Sequence, residues 1–331
     1  MKNYIIIVGL ILIAGSIGFI SGNYFGKNKK IKVPVNSTVT ERVEKNEEFR
    51  LGGYKFINPL LDCENYHQSN IFSTVELEKN VQKFIDKSTS SGRASHIAFY
   101  YRDLNNGPWI GIGERENYSP ASLLKVPIMI AAFKKSESEP GFLNKKIRYD
   151  KDLSDGMRPN ITDSTITIGN TYSVERLIYF MIVHSDNNAR LLLFQNIEPI
   201  FINKVFSDVG IDMANFNDTA NFMSVKSYSS FFRILYNATY LNKENSEKAL
   251  QILTNSSFHH GIPAQLPVTV SIAHKFGERG YINSDIIQLH DCGIVYKGNS
   301  PYLICIMTQG TNTANLEKII AEISLMVYSH N

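Results

Sequence analysis

Pro120-Ala121-Ser122-Leu123-Leu124-Lys125-Val126-Pro127-Ile128-Met129-Ile130-Ala131-Ala132 is the stretch from which the rest of the chain is read. Tyr118-Ser119-Pro120-Ala121 ahead of it reads as a loop entering a helix. From Leu123 to Ala132 the residues are apolar nearly all round, the pattern of a helix buried at the centre of a domain. Ser122 and Lys125 are three residues apart, so on a helix they share a face one turn apart. A lysine in such a helix is costly as a cation; its pKa is expected to fall, which lets it act as a base. A serine hydroxyl is a poor nucleophile until such a base stands beside it. The plain alternative is a lysine that snorkels from an ordinary core helix.

Outward from this stretch, Ser173 to His184 reads as a second helix, with Ser173 as N-cap and Glu175 at its positive end. It breaks at Ser185-Asp186-Asn187-Asn188, and a further apolar helix is expected from Ala189. A polar knot between two apolar helices is either a plain turn or a set of oriented hydrogen-bonding groups. Beside a buried Ser-Lys pair, Ser185 offers a hydroxyl that relays a proton, and Asn187 a side-chain amide. Further on, a strand-like run from Val268 to His274 ends in Lys275-Phe276-Gly277, with Gly277 expected to let substrate backbone approach closely. Strands are also expected at Cys292–Tyr296 and Tyr302–Met307, paired across Lys297-Gly298-Asn299-Ser300. The chain ends in an amphipathic helix with Leu316, Ile319, Ile320, Ile323 and Val327 on one face.

Ser122-Leu123-Leu124-Lys125, Ser185-Asp186-Asn187 and Lys275-Phe276-Gly277, in that order, resemble the active site of the serine penicillin-recognising enzymes, the class A β-lactamases and penicillin-binding proteins. The flanks Pro-Ala-Ser-Leu-Leu-Lys-Val-Pro, His-Ser-Asp-Asn-Asn-Ala and Ala-His-Lys-Phe-Gly-Glu carry the likeness further, and it is closer to the class A branch. The resemblance implies an acyl-enzyme mechanism without cofactor or metal. Ser122 would attack with Lys125 as general base. Ser185 would pass a proton to the leaving nitrogen, and the N–H groups of Ser122 and Glu278 would form the oxyanion hole. Asn187 and Lys275 would bind the substrate's amide and carboxylate beside Gly277. The substrate would be a β-lactam or a peptidoglycan stem peptide.

Two departures stand out. Phe276 occupies the place where the family carries a Thr or Ser hydroxyl for the substrate carboxylate, with Arg279 as one replacement contact and otherwise a solvated turn residue. No glutamate occurs between Glu198 and Glu244, where the family's long loop supplies the base for deacylation. Asp212 or Asp218 is the substitute on offer, although both read first as turn or cap residues. Three activities remain open: a β-lactamase-type hydrolase with weak deacylation, a D,D-carboxypeptidase or transpeptidase, and a sensor or wall-binding module that acylates and stops.

Before residue 71 the character changes. Asn3 to Gly26 holds no charge and is long enough to span a membrane, so residues 1–30 read as an uncleaved anchor. Lys27, Lys29, Lys30 and Lys32 follow the span, which by charge alone would keep the rest inside. A long following domain weakens that rule and a cell-wall substrate lies outside, so an extracytoplasmic domain is expected. Residues 31–70 read as a tether, with Gly52–Leu61 apolar enough to dock on the domain. Residues 71–331 then form the catalytic domain. A helix through Val81, Phe84 and Ile85 comes first, followed by strands His96–Tyr101 and Pro108–Ile112 around Asn105-Asn106-Gly107. The expected fold is α+β: an antiparallel sheet from both ends of the chain, flanked by helices, with a central helical subdomain.

The net charge is +3, and five lysines precede residue 33 with no acid among them, so the remainder carries 3 − 5 = −2. That excludes the basic footprint of nucleic-acid binding. Cys63, Cys292 and Cys305 lack metal-ligand spacing and allow one bridge of unspecified pairing. His259-His260 reads as surface loop, and His274 as a strand residue rather than a base.

Overall fold

The structure, a computed structural model, describes residues 48–50, 52–63, 71–105, 107–154, 165–211, 221–281 and 283–331. Three expectations lie outside those residues: the anchor at Asn3–Gly26, most of the tether, and Asp212 and Asp218. Among the described residues no helix is long and apolar enough to cross a membrane.

In chain order the strands are β1 (Glu48–Arg50), β2 (Leu60–Cys63), β3 (His96–Asp103), β4 (Trp109–Ile112), β5 (Lys146–Arg148), β6 (Thr171–Ser173), β7 (Ser271–Gly280), β8 (Ile287–Tyr296) and β9 (Tyr302–Gly310). The helices are α1 (Ile71–Ser90), α2 (Lys125–Ser138), α3 (Val174–Val183), α4 (Asn187–Phe194), α5 (Pro199–Asp208), α6 (Val225–Tyr236), α7 (Lys243–Leu253) and α8 (Thr313–His330). A 3-10 turn, Ala121–Leu124, leads directly into α2.

The central sheet is antiparallel in the order β4-β3-β9-β8-β7, so both chain ends build it and β7 is an edge. Side chains alternate across it. Ile97, Phe99, Ile304 and Ile306 meet Leu77, Val81 and Ile85 of α1 and Leu316, Ile319, Ile320, Ile323 and Val327 of α8. Ala98, Tyr100, Leu303, Cys305 and Met307 face the other way, into a larger cluster with α2, α3 and α6. Both faces are covered, which is why β3 and β9 read as unbroken apolar runs rather than alternating ones. Each large apolar chain buried this way is worth roughly 1.5–3 kcal/mol. The expected α+β architecture is the one observed.

Three boundaries differ from the sequence reading. The third motif lies in the middle of its strand, not at its end: Val268 and Thr269 form a turn closed by Val270 N–H donating to Pro267 O, 2.9 Å. β8 starts at Ile287, not Cys292, because Gln288, His290 and Asp291 are buried polar strand residues with partners that only the fold supplies. α4 starts at Asn187, not Ala189, because Asp186 caps it, accepting from Ala189 N–H at 3.0 Å. Cys292 and Cys305, opposed on β8 and β9, form the one disulfide among the described residues.

Candidate active site

The 3-10 turn fixes the nucleophile. At three residues per turn, Ser122 and Lys125 eclipse each other, and Lys125 Nζ is 2.8 Å from Ser122 Oγ. The turn is held from three sides. Tyr228 of α6 donates its hydroxyl to Leu123 O at 3.0 Å. Gln288 of β8 accepts from Ser119 N–H at 2.9 Å, and His290 Nε2 donates to Ser119 O at 3.0 Å. Thr308 N–H donates to His290 Nδ1 at 3.3 Å, which fixes the Nε2–H tautomer, and burial lowers this histidine to about 4, so it is neutral. Ala121 immediately ahead has φ 49°, and Ser185 across the site has φ 53°. Non-glycine residues rarely adopt this left-handed conformation, and such strain collects at functional sites.

The polar knot closes on the same point. Lys125 Nζ is 2.5 Å from Ser185 O, 3.0 Å from Ser185 Oγ and 2.9 Å from Asn187 Oδ1. Lys125 is fully buried, and burial drives its pKa well below the ordinary lysine value, with the neighbouring Lys275 and Arg190 charges adding to the shift. A neutral amine keeps two N–H donors and one lone pair. The Ser185 carbonyl and the Asn187 amide oxygen accept only, so they take the donors, and the lone pair is left for a hydroxyl. Asp186 steadies the knot: Oδ2 accepts from Thr165 Oγ1 and Ile166 N–H, both at 2.7 Å. Asn188 Oδ1 accepts from Leu153 N–H at 2.8 Å and Ser154 N–H at 3.0 Å.

β7 supplies the third side. Lys275 is fully buried, and its Nζ donates to Ser185 Oγ at 3.0 Å and Phe276 O at 2.8 Å. Ser185 Oγ thus bridges the two lysines. Burial lowers Lys275 to about 7, against the pull of the Asp291 carboxylate. Phe276 is buried, stacked on Phe258 with centroids 4.4 Å apart, and its ring centroid is 3.9 Å from Lys275 Nζ. The ring therefore helps to dry the lysine where a hydroxyl would have solvated it. Gly277 has a role the sequence did not reveal. A Cβ there would lie 2.8 Å from Pro120 O, 3.0 Å from Leu123 Cγ and 3.1 Å from Leu123 N. Its bare Cα lets β7 seat against the nucleophile's turn. Glu278 follows on the same strand, and Arg279 lies over Tyr281, 5.3 Å from its ring centroid.

The fold brings together Ser122, Lys125, Asn187 and Lys275 from four elements and Ser185 from the junction between α3 and α4, with Gly277 at the contact between two of the elements. It also recruits residues the sequence reading passed over: Gln288, His290, Tyr228 and Asp291. For Gln288, His290 and Asp291 the only signal was polarity among the residues of β8, and Tyr228 on α6 left none. His259 and His260 are exposed, as expected, and His274 is a buried strand residue whose Nδ1 is 2.8 Å from Asp291 Oδ1. No group of histidines, cysteines and carboxylates among the described residues could hold a metal ion.

Known proteins share this fold. The model of the beta-lactamase enzyme family matches residues 76–331. No curated protein matches the chain. Among solved structures, a β-lactamase from Chitinophaga pinensis is 19% identical, over 76% of this chain and 98% of that one, with a TM-score of 0.65. The TLA-3 extended-spectrum β-lactamase is 19% identical over 78% and 98%, with a TM-score of 0.68. A PBP-A variant, solved as an acyl-enzyme complex with penicillin G, is 20% identical over 77% and 96%, with a TM-score of 0.65. At these identities the structural likeness is one of fold, and the family match over most of the chain adds the lineage. A half-buried serine on a fully buried lysine beside an edge strand, in this fold and with that match, makes the chain a serine hydrolase that belongs to the beta-lactamase enzyme family.

Proposed function

We propose that the chain opens β-lactam or D-Ala-D-Ala-type amide bonds through an acyl-enzyme on Ser122, with acylation outrunning deacylation. The carrying observation is the buried Lys125 amine 2.8 Å from Ser122 Oγ, with both its other donors engaged by acceptor-only oxygens. Lys125 takes the Ser122 proton as Oγ bonds to the carbonyl carbon. The N–H groups of Ser122 and Glu278 receive the oxyanion. The C–N bond then breaks, and the leaving nitrogen takes a proton relayed from Lys125 through Ser185, which touches both lysines. Lys275 attracts the substrate carboxylate, and Asn187 its amide. The penicillin G adduct of the PBP-A variant supports the substrate class.

Deacylation needs a second base that activates water. The lack of any glutamate between Glu198 and Glu244 favours an acyl-enzyme that persists. The same chemistry on a stem peptide, as a D,D-carboxypeptidase or transpeptidase, is the second reading, favoured by that same gap. A sensor or wall-binding module that acylates and stops is the third. The uncharged Asn3–Gly26 stretch supports a single-pass anchor with the domain outside the cytoplasm, and a disulfide between Cys292 and Cys305 suits an oxidising compartment.

Intact-mass spectrometry after incubation with penicillin G tests the assignment. A single adduct, absent in Ser122→Ala, is expected. An adduct that persists in that variant overturns it.

A further inference from the structure

A second cavity, of about 520 Å³, opens between the start of β7, the segment 254–268 and Lys55-Phe56. None of the active-site residues named above lines it. Its rim is exposed and carries Lys55 and His259 beside Pro267 and Val268, and Val268 is fully exposed. Its floor is buried and carries Phe56, Leu266 and Ile272 with Ser256 and His274.

The polar side chains here are basic or hydroxyl-bearing. No carboxylate lines the cavity, whereas Lys55, His259 and His274 do. The nearest acids are already engaged. Glu247 accepts from the amides of Lys55, Phe56 and Ile57 at 2.9–3.1 Å, and Asp291 accepts from His274 Nδ1 at 2.8 Å and Ile262 N–H at 2.9 Å. With Nδ1 so held, Nε2 is the remaining polar atom of the His274 ring. Ser256 Oγ is buried and has no hydrogen-bond partner among the described residues. The rest of the lining is Thr254 and Ser271 with aliphatic and proline side chains and one phenyl ring. Apolar walls with a few converging polar groups are the usual make-up of a small-molecule site.

We propose that this cavity is a second ligand site that takes a small organic anion with an apolar body, a monocarboxylate of the aryl- or alkyl-alkanoate kind. The head group meets Lys55 and His259 at the rim, and the body lies along Leu266, Val270 and Ile272. Binding here does not depend on the acyl-transfer chemistry at Ser122.

Isothermal titration of the full-length protein with 4-phenylbutyrate reads the site directly, without activity. Saturable binding at one site is expected, with no binding of 4-phenylbutylamine, which carries the opposite charge on a similar body. The double variant Lys55→Ala/His259→Ala changes two exposed side chains, and its thermal midpoint checks that it folds. It should bind at least about tenfold more weakly. Lys275→Ala should bind as the parent does, which separates this cavity from the active site whatever the fate of the Ser122 proposal. Three results would each overturn the inference: no saturable binding, binding unchanged in the double variant, or binding lost in Lys275→Ala alone.

Discussion

Lys125 and Lys275 are the same residue type at the same depth, joined by one hydroxyl, yet the chemistry asks them for opposite charge states. Lys125 must be neutral to accept the Ser122 proton, and burial beside a second cation pushes it that way. Lys275 must be charged to attract a carboxylate, and the Asp291 charge works against burial to keep it at about 7. Replacing Lys125 with Ala should cut the second-order rate of penicillin acylation by about 10²–10⁴-fold, measured by quenched-flow mass spectrometry on protein checked for folding. Unchanged labelling would remove Lys125 as the base. The pH dependence has a definite sign. Acylation by an anionic β-lactam should rise with pH as Lys125 loses its proton, well below the ordinary lysine range, and fall as pH climbs through about 7 and Lys275 becomes neutral. In Lys275→Ala the alkaline fall should vanish together with most of the affinity. A variant that keeps the same alkaline limb would show that another group titrates there.

Among the elements, the site depends on a 3-10 turn seated against an edge strand. A pure α-helix over residues 121–138 would rotate Ser122 relative to Lys125, because 3.6 residues per turn do not eclipse positions three apart. The close seat is possible because Gly277 has no side chain. Gly277→Ala would drive a methyl into Pro120 O and the Leu123 backbone, neither of which is the loose end of a flexible chain. Overpacking of this kind typically costs about 1–3 kcal/mol, so the thermal midpoint should drop by several degrees. Acylation should fall further than stability does, because the same shift moves Lys275 and Glu278 away from Ser122. A Gly277→Ala variant with the parent's acylation rate would show that the seat does not matter.

For the molecule as a whole, the question is what happens after acylation. Steady-state nitrocefin turnover is expected to lie well below the roughly 10–10³ per second of typical good enzymes, with the Ser122 adduct accumulating meanwhile. Turnover in that range would overturn the slow-deacylation reading and direct attention to Asp212 and Asp218, each testable as Asn. Placement is a separate matter. Protease added to intact spheroplasts should degrade the catalytic domain while a short amino-terminal fragment stays with the membrane. Full protection would contradict an extracytoplasmic domain.

Much of this was legible from the sequence because its causes are local. The apolar run after Ser122 dictates a buried helix, Ser173 caps its helix as a serine in that position does, and the three- and four-residue spacing of apolar side chains on α8 declares its buried face. Lys125 within an apolar helix already announces a depressed pKa, whereas the burial of Lys275 emerged only with the fold. What the sequence by itself determined was therefore the fold class, the three sides of the site and the residues on them. The tertiary structure alone decided how those sides meet. Gln288, His290 and Asp291 read as interruptions of a strand until their partners at Ser119, Thr308, Ile262 and His274 appeared, up to 171 residues away in the chain. The cysteine pairing and the reason for Gly277 likewise depend on backbones brought together by long-range packing. Periodicity and capping act over a few residues and leave a local trace. A hydrogen bond or a close approach between distant segments leaves none until the core forms.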